Sequence, residues 1–291
     1  MAIKTYYAKL NNMGDLLNEY IIPQITGRDI IHCENFQKFD VMGIGSCCGA
    51  IWGNRDNSLK LAAKDTIKKI ACSFTDKPCA IWGTGFIRDY SGTKMKLLRR
   101  NVSFIAVRGA LSQKMIESAL GYDIQPVLCD GGILTAEILD EPIVKKYTIG
   151  FIPHYKEHQL CKDKGIWSAF ENDIPNSTVI NLRDDPISVI RRISECEIII
   201  SSSLHGCVCA DSFHIPNIRV VLSGIPGSGF KFDDYYSGYG LTVPAVSIDS
   251  VRNIPTAYEV ADNYKLSFEA IEKKKKDMAS CLKEFIQKYN L

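Results

Sequence analysis

The strongest candidate for acid–base chemistry in this sequence is His205. It stands near the end of Ile198–Gly206, where an apolar run is followed by three serines, a leucine, the histidine and a glycine. Such a run predicts a buried strand, and open parallel sheets bind ligands at the carboxyl ends of their strands. An unperturbed imidazole has a pKa of ~6.5, which suits proton transfer at neutral pH. The position therefore favours a functional histidine, and Ser203 beside it could bind anionic oxygen.

Two other kinds of site at His205 fail on spacing. Cys207 and Cys209 follow closely, but residues two apart on a helix point about 200° apart, so both thiols cannot reach one metal ion. No Gly-x-Ser-x-Gly turn precedes the histidine, so a serine nucleophile would lack its usual turn. We therefore predict neither a metal site nor a catalytic triad.

Glycine-rich turns follow several apolar runs in the first half of the chain. Gly45 and Ser46 follow one run, and Gly83 and Thr84 follow the next. Glycine lets the backbone approach a ligand closely and exposes amide donors, so we expect these residues to bind substrate. A dinucleotide site is disfavoured, because the third glycine falls one residue late and no acidic residue ends the next strand.

Three further side chains stand at predicted strand ends. Asp15 could accept a hydrogen bond from a sugar hydroxyl, although a helix cap is the favoured interpretation from sequence alone. Arg108 could hold a carboxylate or phosphate with its planar guanidinium, or form an ordinary surface ion pair. His154 could present a second ring to substrate or be a loop histidine. The sequence leaves these alternatives open.

The segment Phe230–Tyr236 combines aromatic rings, Lys231 and two carboxylates, of which Asp233 is the first. Aromatic faces suit sugar rings, and carboxylates suit sugar hydroxyls. A surface helix capped by aromatic residues explains the segment equally well.

Regularly spaced apolar runs must position these side chains. Their continuous hydrophobicity is typical of strands buried on both faces of a parallel sheet. The predicted strands are Phe39–Gly45, Pro78–Trp82, Ser103–Val107, Pro126–Cys129, Thr148–Ile152, Ser177–Asn181, Glu197–Ser201 and Asn217–Leu222. Helical periodicity lies between them over Leu59–Cys72, Ala110–Leu120, Pro186–Cys196 and Gly206–His214. This alternation predicts an α/β fold with helices on both faces of the sheets.

The length of 291 residues suits two domains of usual size. A charged stretch over residues 139–147 separates two sets of strand and helix units. We therefore place an N-terminal domain at 1–143 and a C-terminal domain at 144–262. The remainder, 263–291, is predicted to be a lysine-rich helix that packs back across both domains. A helix lying on a membrane surface is the less favoured alternative.

Composition excludes several classes of protein. With 35 basic and 33 acidic residues the net charge is +2, too small to hold duplex nucleic acid. Eleven cysteines in a chain that can build its own core predict buried thiols rather than disulfides. There is neither a signal peptide nor an apolar run of ~18 residues, so we expect a cytoplasmic protein.

Eight short motifs occur in a fixed order along the chain. They are Asn12-Met-Gly-Asp15, Gly43-Ile-Gly-Ser46, Trp82-Gly-Thr-Gly85, Val107-Arg-Gly109, Asp130, Gly150-Phe-Ile-Pro-His154, Ser202-Ser-Leu-His-Gly206 and Phe230-Lys-Phe232. Together they resemble the polysaccharide pyruvyl transferase family, in particular its succinoglycan-type branch. The resemblance implies two Rossmann-like domains arranged as in GT-B glycosyltransferases. It also implies phosphoenolpyruvate as co-substrate, no other cofactor, and a pyruvate ketal of a sugar as product.

The resemblance suggests roles for the candidate residues. His205 is expected to be the general acid that protonates phosphoenolpyruvate. Arg108 and Lys231 would hold the anionic groups. Asp15 or Asp233 would orient or deprotonate the acceptor hydroxyls.

One departure from the family pattern concerns Ser203, where many relatives carry an arginine. Lys231 or Arg183 could supply the missing anion contact. The expected acceptor is a lipid-linked oligosaccharide on the way to a surface polysaccharide, either exopolysaccharide or capsule. Such an acceptor would bring the protein to the inner face of the membrane, with Lys273–Lys276 as a peripheral contact. The oligomeric state is left open.

Two other functions fit the same architecture. A glycosyltransferase using a nucleotide sugar needs an acidic residue in the second half to hold the ribose, but Glu195 and Glu197 lie at the wrong end of their strand. A catalytically inactive sugar-binding relative would keep the aromatic segment and tolerate the loss of His205 and Arg108.

Overall fold

The first half of the chain forms a parallel sheet. The computed structural model describes residues 2–35, 38–53, 77–223 and 228–291. The strands of this half are β1 (Ile3–Tyr6), β2 (Ile30–His32), β3 (Val41–Met42), β4 (Trp52–Gly53), β5 (Cys79–Ile81), β6 (Lys96–Leu97), β7 (Val102–Phe104), β8 (Ala106–Val107) and β9 (Val127–Leu128). The main sheet has the order β2-β1-β3-β5-β7, with every pair parallel. Single bridges at Thr84 continue it to the parallel pair β8-β9, and β4 pairs with β6 in antiparallel fashion.

The second half forms another parallel sheet. Its strands are β10 (Tyr147–Ile152), β11 (Ser177–Val179), β12 (Cys196–Ser201), β13 (Asn217–Val221) and β14 (Val246–Ser247). Their order is β11-β10-β12-β13-β14, again with every pair parallel. Each predicted strand therefore has a counterpart, and the predicted α/β class is confirmed. The central strands are buried on both faces, which explains their isoleucine-rich composition.

The helices lie between and after these strands. They are α1 (Met13–Leu16), α2 (Asn18–Thr26), α3 (Ala110–Leu120), α4 (His158–Asp163), α5 (Ile166–Ser168), α6 (Pro186–Ser194), α7 (Leu204–Ser212), α8 (Ser228–Ser237), α9 (Ala257–Asn263) and α10 (Phe268–Tyr289). A 3₁₀ segment, Gly131–Ile138, follows β9. The helix predicted over Leu59–Cys72 lies outside the described residues. Helix α6 begins as predicted, with Asp185 accepting a 2.9 Å hydrogen bond from the Ser188 amide.

Helix α10 returns from the second half to the first. Its buried face consists of Ile271, Lys275, Met278, Leu282, Phe285 and Ile286. This face packs against α2, β9 and the 3₁₀ segment, and the Trp82 indole donates a 3.0 Å hydrogen bond to the Met278 carbonyl. Near its start, α10 also contacts the second half, because Glu272 lies 2.9 Å from the ring of His214. The helix therefore ties the two halves together.

Two sequence expectations concern the chain as a whole. The cysteines in the described ranges are free thiols and most are buried, as predicted. Among the described residues, no helix has both the length and the apolar composition needed to cross a bilayer.

Candidate active site

A cleft of about 200 Å³ lies between the two halves, at the carboxyl ends of β1, β3, β10 and β12. Its lining comprises Ala8, Leu10, Asn12, Asp15, Ser46, Cys47, Ile87, His154, Tyr155, Lys156, Ser203, Leu204, His205 and Lys231. Six of the predicted site residues are thus brought together from segments far apart in sequence: Asp15, Ser46, His154, Ser203, His205 and Lys231. Arg108, Gly45, Gly83, Thr84 and Asp233 are not among the lining residues.

His205 is the second residue of α7, and not the last residue of the strand before it. Strand β12 ends at Ser201, and Ser203 occupies the N-cap of the helix. The imidazole packs against Gly14 of α1, where a Cβ would overlap Nδ1. On the other side, Nε2 is buried without a hydrogen-bond partner, 3.9 Å from Oδ1 of Asp130. The ring is therefore confined from two sides.

The cleft opposes protonation of both of its histidines. Burial lowers the pKa of His205 to about 3, with Lys231, Arg108 and His154 adding to the shift. Burial, Lys231 and Lys156 lower the pKa of His154 to about 4. The expectation that His205 titrates near neutral pH therefore does not hold, because the imidazole is neutral at that pH.

The cleft contains an acidic side chain, Asp15, and a basic one, Lys231, whose pKa values are both shifted. Burial raises the pKa of Asp15 to about 6, against a hydrogen bond from Asn12 and the charge of Lys231. Asp15 lies within α1, whose N-cap is Asn12, so the helix-cap interpretation is not supported. Burial and Arg108 lower the pKa of Lys231 to about 8. Within the described residues, no carboxylate lies within 4.0 Å of the Lys231 ammonium.

Arg108 lies behind the wall of the cleft and is fully buried. Its Nε donates to Oδ2 of Asp234 at 3.0 Å, and Nη1 donates to the Ser46 hydroxyl at 3.1 Å. A further hydrogen bond goes to the carbonyl of Phe86. The surface ion pair considered from the sequence is thus not what forms, and Arg108 faces the cleft only through Ser46.

The carboxylate that pairs with Arg108 is Asp234. The sequence analysis did not single out this residue and named its neighbour Asp233, for the acceptor hydroxyls. Asp233 pairs instead with Arg219 at 2.6 Å, and 53% of its side chain is exposed. Asp234 is three residues after Lys231 and so lies on the same face of α8, but the sequence does not show that this face meets Arg108. Three of the four aromatic residues of this segment, Phe232, Tyr235 and Tyr236, are buried and give no surface for a sugar; Phe230 is partly buried.

The glycine-rich strand ends form close contacts behind the wall of the cleft. The Thr84 hydroxyl donates to the Gly45 carbonyl at 2.8 Å and accepts from the Cys47 amide at 3.0 Å. Gly45 has φ of 123°, which a residue with a side chain rarely adopts. Gly83 packs so closely on the backbone of Gly131 that a Cβ would overlap it. These contacts fix the turn that carries Ser46.

One side of the cleft carries an aromatic ring that the sequence did not single out. Tyr155 follows β10 and lines the cleft beside His154, with ring centroids 4.6 Å apart. Arg183, considered from the sequence as an anion contact, lies over the Tyr155 ring at 5.0 Å instead. In the described ranges no three histidine, cysteine or acidic side chains converge as a metal site would require.

The arrangement suits a small anion with several charges. Lys231 and Lys156 supply cations, Ser46 and Ser203 supply hydroxyl donors, and the amino end of α7 adds a partial positive charge. Asp15 is the one acidic residue among the described residues that line the cleft. A neutral imidazole and a carboxylate with a raised pKa can both accept protons.

The chain is similar to known proteins over much of its length. The model of the family described as polysaccharide pyruvyl transferase matches residues 3–223. The chain is 28% identical to the succinoglycan biosynthesis protein ExoV of Rhizobium meliloti over 162 residues, which are 55% of this chain and 46% of that protein. It is 27% identical to an uncharacterized protein of Acanthamoeba polyphaga mimivirus over 177 residues, 58% of each chain. The matches thus span about half the length of these relatives.

Proposed function

Because the chain belongs to the polysaccharide pyruvyl transferase family, we propose that it transfers the pyruvyl group of phosphoenolpyruvate to a sugar. The product would be a pyruvate ketal on a surface-polysaccharide precursor. One observation carries the proposal: the cleft combines cations, hydroxyl donors and a histidine, with a single carboxylate among its described lining residues. Phosphoenolpyruvate bears a phosphate and a carboxylate, so it needs such surroundings.

We further propose that the two parallel sheets are the cores of two Rossmann-like domains in a GT-B-like arrangement. Their limits would be 1–143 and 144–262, with 263–291 as the helix across them. The first domain would bind the acceptor and the second the donor. Ligands in such folds bind beyond the carboxyl ends of the strands, which is where the cleft lies.

Lys231 is proposed to bind the phosphate or carboxylate directly. Arg108 would act through Ser46, whose hydroxyl it orients at 3.1 Å. Ser203 stands at the N-cap of α7, so a small hydroxyl and nearby helix amides could replace the arginine of many relatives. His154 would complete the donor side.

In the proposed reaction, His205 gives a proton to the terminal methylene, which becomes a methyl group. Positive charge develops at the neighbouring carbon, a first sugar hydroxyl attacks it, and the carbon–oxygen bond to phosphate breaks. Attack by a second hydroxyl closes the ketal. One hydroxyl proton replaces the proton given by His205, and the other leaves with phosphate. Asp15, with a pKa of about 6, would accept a hydroxyl proton at neutral pH. The reaction needs no cofactor beyond phosphoenolpyruvate.

Titration calorimetry with phosphoenolpyruvate tests the binding half of this proposal. Lys231→Met removes a cation that has no carboxylate within 4.0 Å among the described residues, and it should weaken binding at least about tenfold, the effect of ~1.4 kcal/mol. Lys283→Met removes an exposed lysine of α10 and should leave binding unchanged. Equal affinity in all three proteins would contradict the assignment of Lys231. Binding of UDP-glucose without any binding of phosphoenolpyruvate would favour a nucleotide-sugar glycosyltransferase.

The acceptor is proposed to be a lipid-linked oligosaccharide on the way to exopolysaccharide or capsule. The protein would then act in the cytoplasm, at times in peripheral contact with the inner face of the membrane. Leu10 and Ile87 are the two exposed apolar residues of the cleft lining, 53% and 50% exposed, and they mark the side where a larger acceptor could enter.

A further inference from the structure

Two neighbouring buried side chains beneath the cleft each have a polar atom without a partner. Nε2 of His205 and Oδ2 of Asp130 are both buried without a hydrogen-bond partner. Nε2 lies 3.9 Å from the other carboxylate oxygen, Oδ1. Burying an unpaired polar atom is costly, so the fold gains free energy if these two groups pair.

Asp130 is held rigidly in place. It is fully buried, and Oδ1 caps the 3₁₀ segment Gly131–Ile138 by accepting from the Gly132 amide at 2.9 Å. Helix α7, which carries His205, packs directly on this segment. The carboxylate therefore has a fixed position relative to the imidazole, and about 1 Å of ring movement would bring Nε2 to hydrogen-bond distance.

We propose that Asp130 accepts a hydrogen bond from Nε2–H of His205 and so fixes the ring in one tautomer, which leaves the lone pair on Nδ1. Nδ1, on the α1 side of the ring beside Gly14, is then the atom that exchanges a proton with substrate. The role in proton transfer rests on the proposed function, whereas the hydrogen bond itself does not. Asp130 acts through His205 and is a positioning residue.

The charges around the ring make such a partner necessary. Lys231 from α8, Arg108 directly after β8 and His154 shortly after β10 all disfavour an imidazolium. Asp130 is the one carboxylate of the described residues within 4.0 Å of His205. A carboxylate on Nε2 stabilises the imidazolium that forms whenever Nδ1 takes up a proton. Without it, His205 could neither accept nor return the proton efficiently.

The tautomer can be read directly by two-dimensional ¹⁵N NMR of the imidazole rings in the full chain at pH 7.5. The chain has five histidines, and His205→Gln identifies the signals of His205. We expect the wild-type ring as the Nε2–H tautomer. Asp130→Asn keeps the oxygen that caps Gly132 but can present an amide donor to Nε2, so the Nδ1–H tautomer should appear. Asp211→Asn changes another buried carboxylate, which hydrogen-bonds Asn217, Tyr235 and Tyr264, and should leave the tautomer of His205 unchanged.

A wild-type ring with its proton on Nδ1, or an Asp130→Asn protein that keeps the wild-type tautomer, would overturn the proposal. In kinetic assays, Asp130→Asn should lower kcat about 10²–10⁴-fold with little change in KM for phosphoenolpyruvate, because the wrong tautomer affects proton transfer and not anion binding. If the wild-type protein shows the expected tautomer but no pyruvyl transfer, the proposed function fails while the hydrogen bond stands.

Discussion

The charge state of His205 depends on what the cleft contains. Burial and neighbouring cations hold its pKa at about 3, and the ring is neutral at physiological pH. Phosphoenolpyruvate would bring a phosphate and a carboxylate beside the same ring, and nearby negative charge raises the pKa of a histidine. The residue could therefore become an acid only after its substrate is bound, which would avoid wasteful protonation chemistry in the free protein.

Gly14 is needed because the His205 ring occupies the space of its side chain. A Cβ at this position would overlap Nδ1, so Gly14→Ala should push the ring aside. Turnover should fall about 100-fold, the usual consequence of a displacement of ~1 Å at a reacting group. The free energy of unfolding in urea should hardly change, because the helix preference of alanine over glycine, up to ~1 kcal/mol, offsets the cost of moving the ring. The same change in a His205→Ala background should cause no further loss; full activity of Gly14→Ala would contradict this account.

The ammonium of Lys231 should make binding of phosphoenolpyruvate sensitive to alkaline pH. Its pKa of about 8 means that the free cleft loses this cation as the pH rises above 8. The dissociation constant measured by calorimetry should therefore increase at least about tenfold between pH 7.5 and pH 9.5. Lys231→Arg keeps its charge over this range and should flatten the dependence. A wild-type constant that does not change with pH would argue against direct contact with the anion.

At the scale of elements, α8 brings Lys231 into the cleft and is anchored to the first half by Asp234. That carboxylate accepts from Arg108, and also from the amide and hydroxyl of Ser112 at 2.8 and 2.6 Å. Gly109 lies so close to α8 that a Cβ would overlap the Asp234 carbonyl. The position of Lys231 therefore depends on a contact between α8 and the end of β8.

Loss of this anchor should be costly. Asp234→Ala leaves the Arg108 charge buried without its partner, which should lower the free energy of unfolding by about 3–5 kcal/mol. Asp233→Ala removes the neighbouring carboxylate, which is 53% exposed and pairs with the 9% exposed Arg219, and it should cost less than Asp234→Ala because water can reach that pair. Urea denaturation followed by circular dichroism compares the two variants. Equal midpoints would show that the fully buried pair of Arg108 and Asp234 contributes no more than the partly exposed pair of Arg219 and Asp233.

The sequence predicted elements better than it predicted their partners. Apolar runs mark strands because strands buried on both faces need them, and α3 has the bounds that its periodicity indicates. The start of α7 was placed two residues late, because three successive serines can each cap a helix and the sequence does not show that Ser203 is the one that does. Asp234 was passed over for Asp233, because which face of α8 meets the first half depends on packing between distant segments.

At the scale of the whole molecule, the two sheets direct the carboxyl ends of their strands toward one cleft. Motif order alone could indicate which residues belong to the site, but the contacts that decide their roles join residues far apart in sequence. Arg108 and Asp234 are 126 residues apart, and the ring of His205 rests on Gly14. No local pattern contains such information.

Membrane contact through Lys273–Lys276 must rely on part of that run. Lys275 is buried and pairs with Glu272 at 2.8 Å, and Lys274 lies over the Tyr239 ring at 5.5 Å, which leaves Lys273 and Lys276 exposed. Removing the helix would uncover its buried face, so charge reversal is the cleaner test. Changing Lys273 and Lys276 to glutamate should reduce sedimentation with anionic phospholipid vesicles.

The matched control reverses two exposed lysines at the other end of α10, Lys283 and Lys288, which changes the net charge by the same amount. Equal vesicle binding by both double variants would assign any membrane attraction to overall charge. That result would also exclude a specific contact between Lys273–Lys276 and the membrane.

Pyruvyl transfer itself is the claim on which the rest depends. The most direct measurement incubates the protein with phosphoenolpyruvate and a panel of p-nitrophenyl hexosides and lipid-linked oligosaccharides, and follows phosphate and the ketal methyl signal by NMR. We predict that phosphate and the ketal appear together, in equal amounts and only when an acceptor is present. The His205→Ala protein should be slower by about 10²–10⁴-fold, whereas the His214→Gln protein should keep the wild-type rate. Transfer of a sugar from UDP-glucose with phosphoenolpyruvate left intact, or unchanged turnover of His205→Ala, would contradict the account.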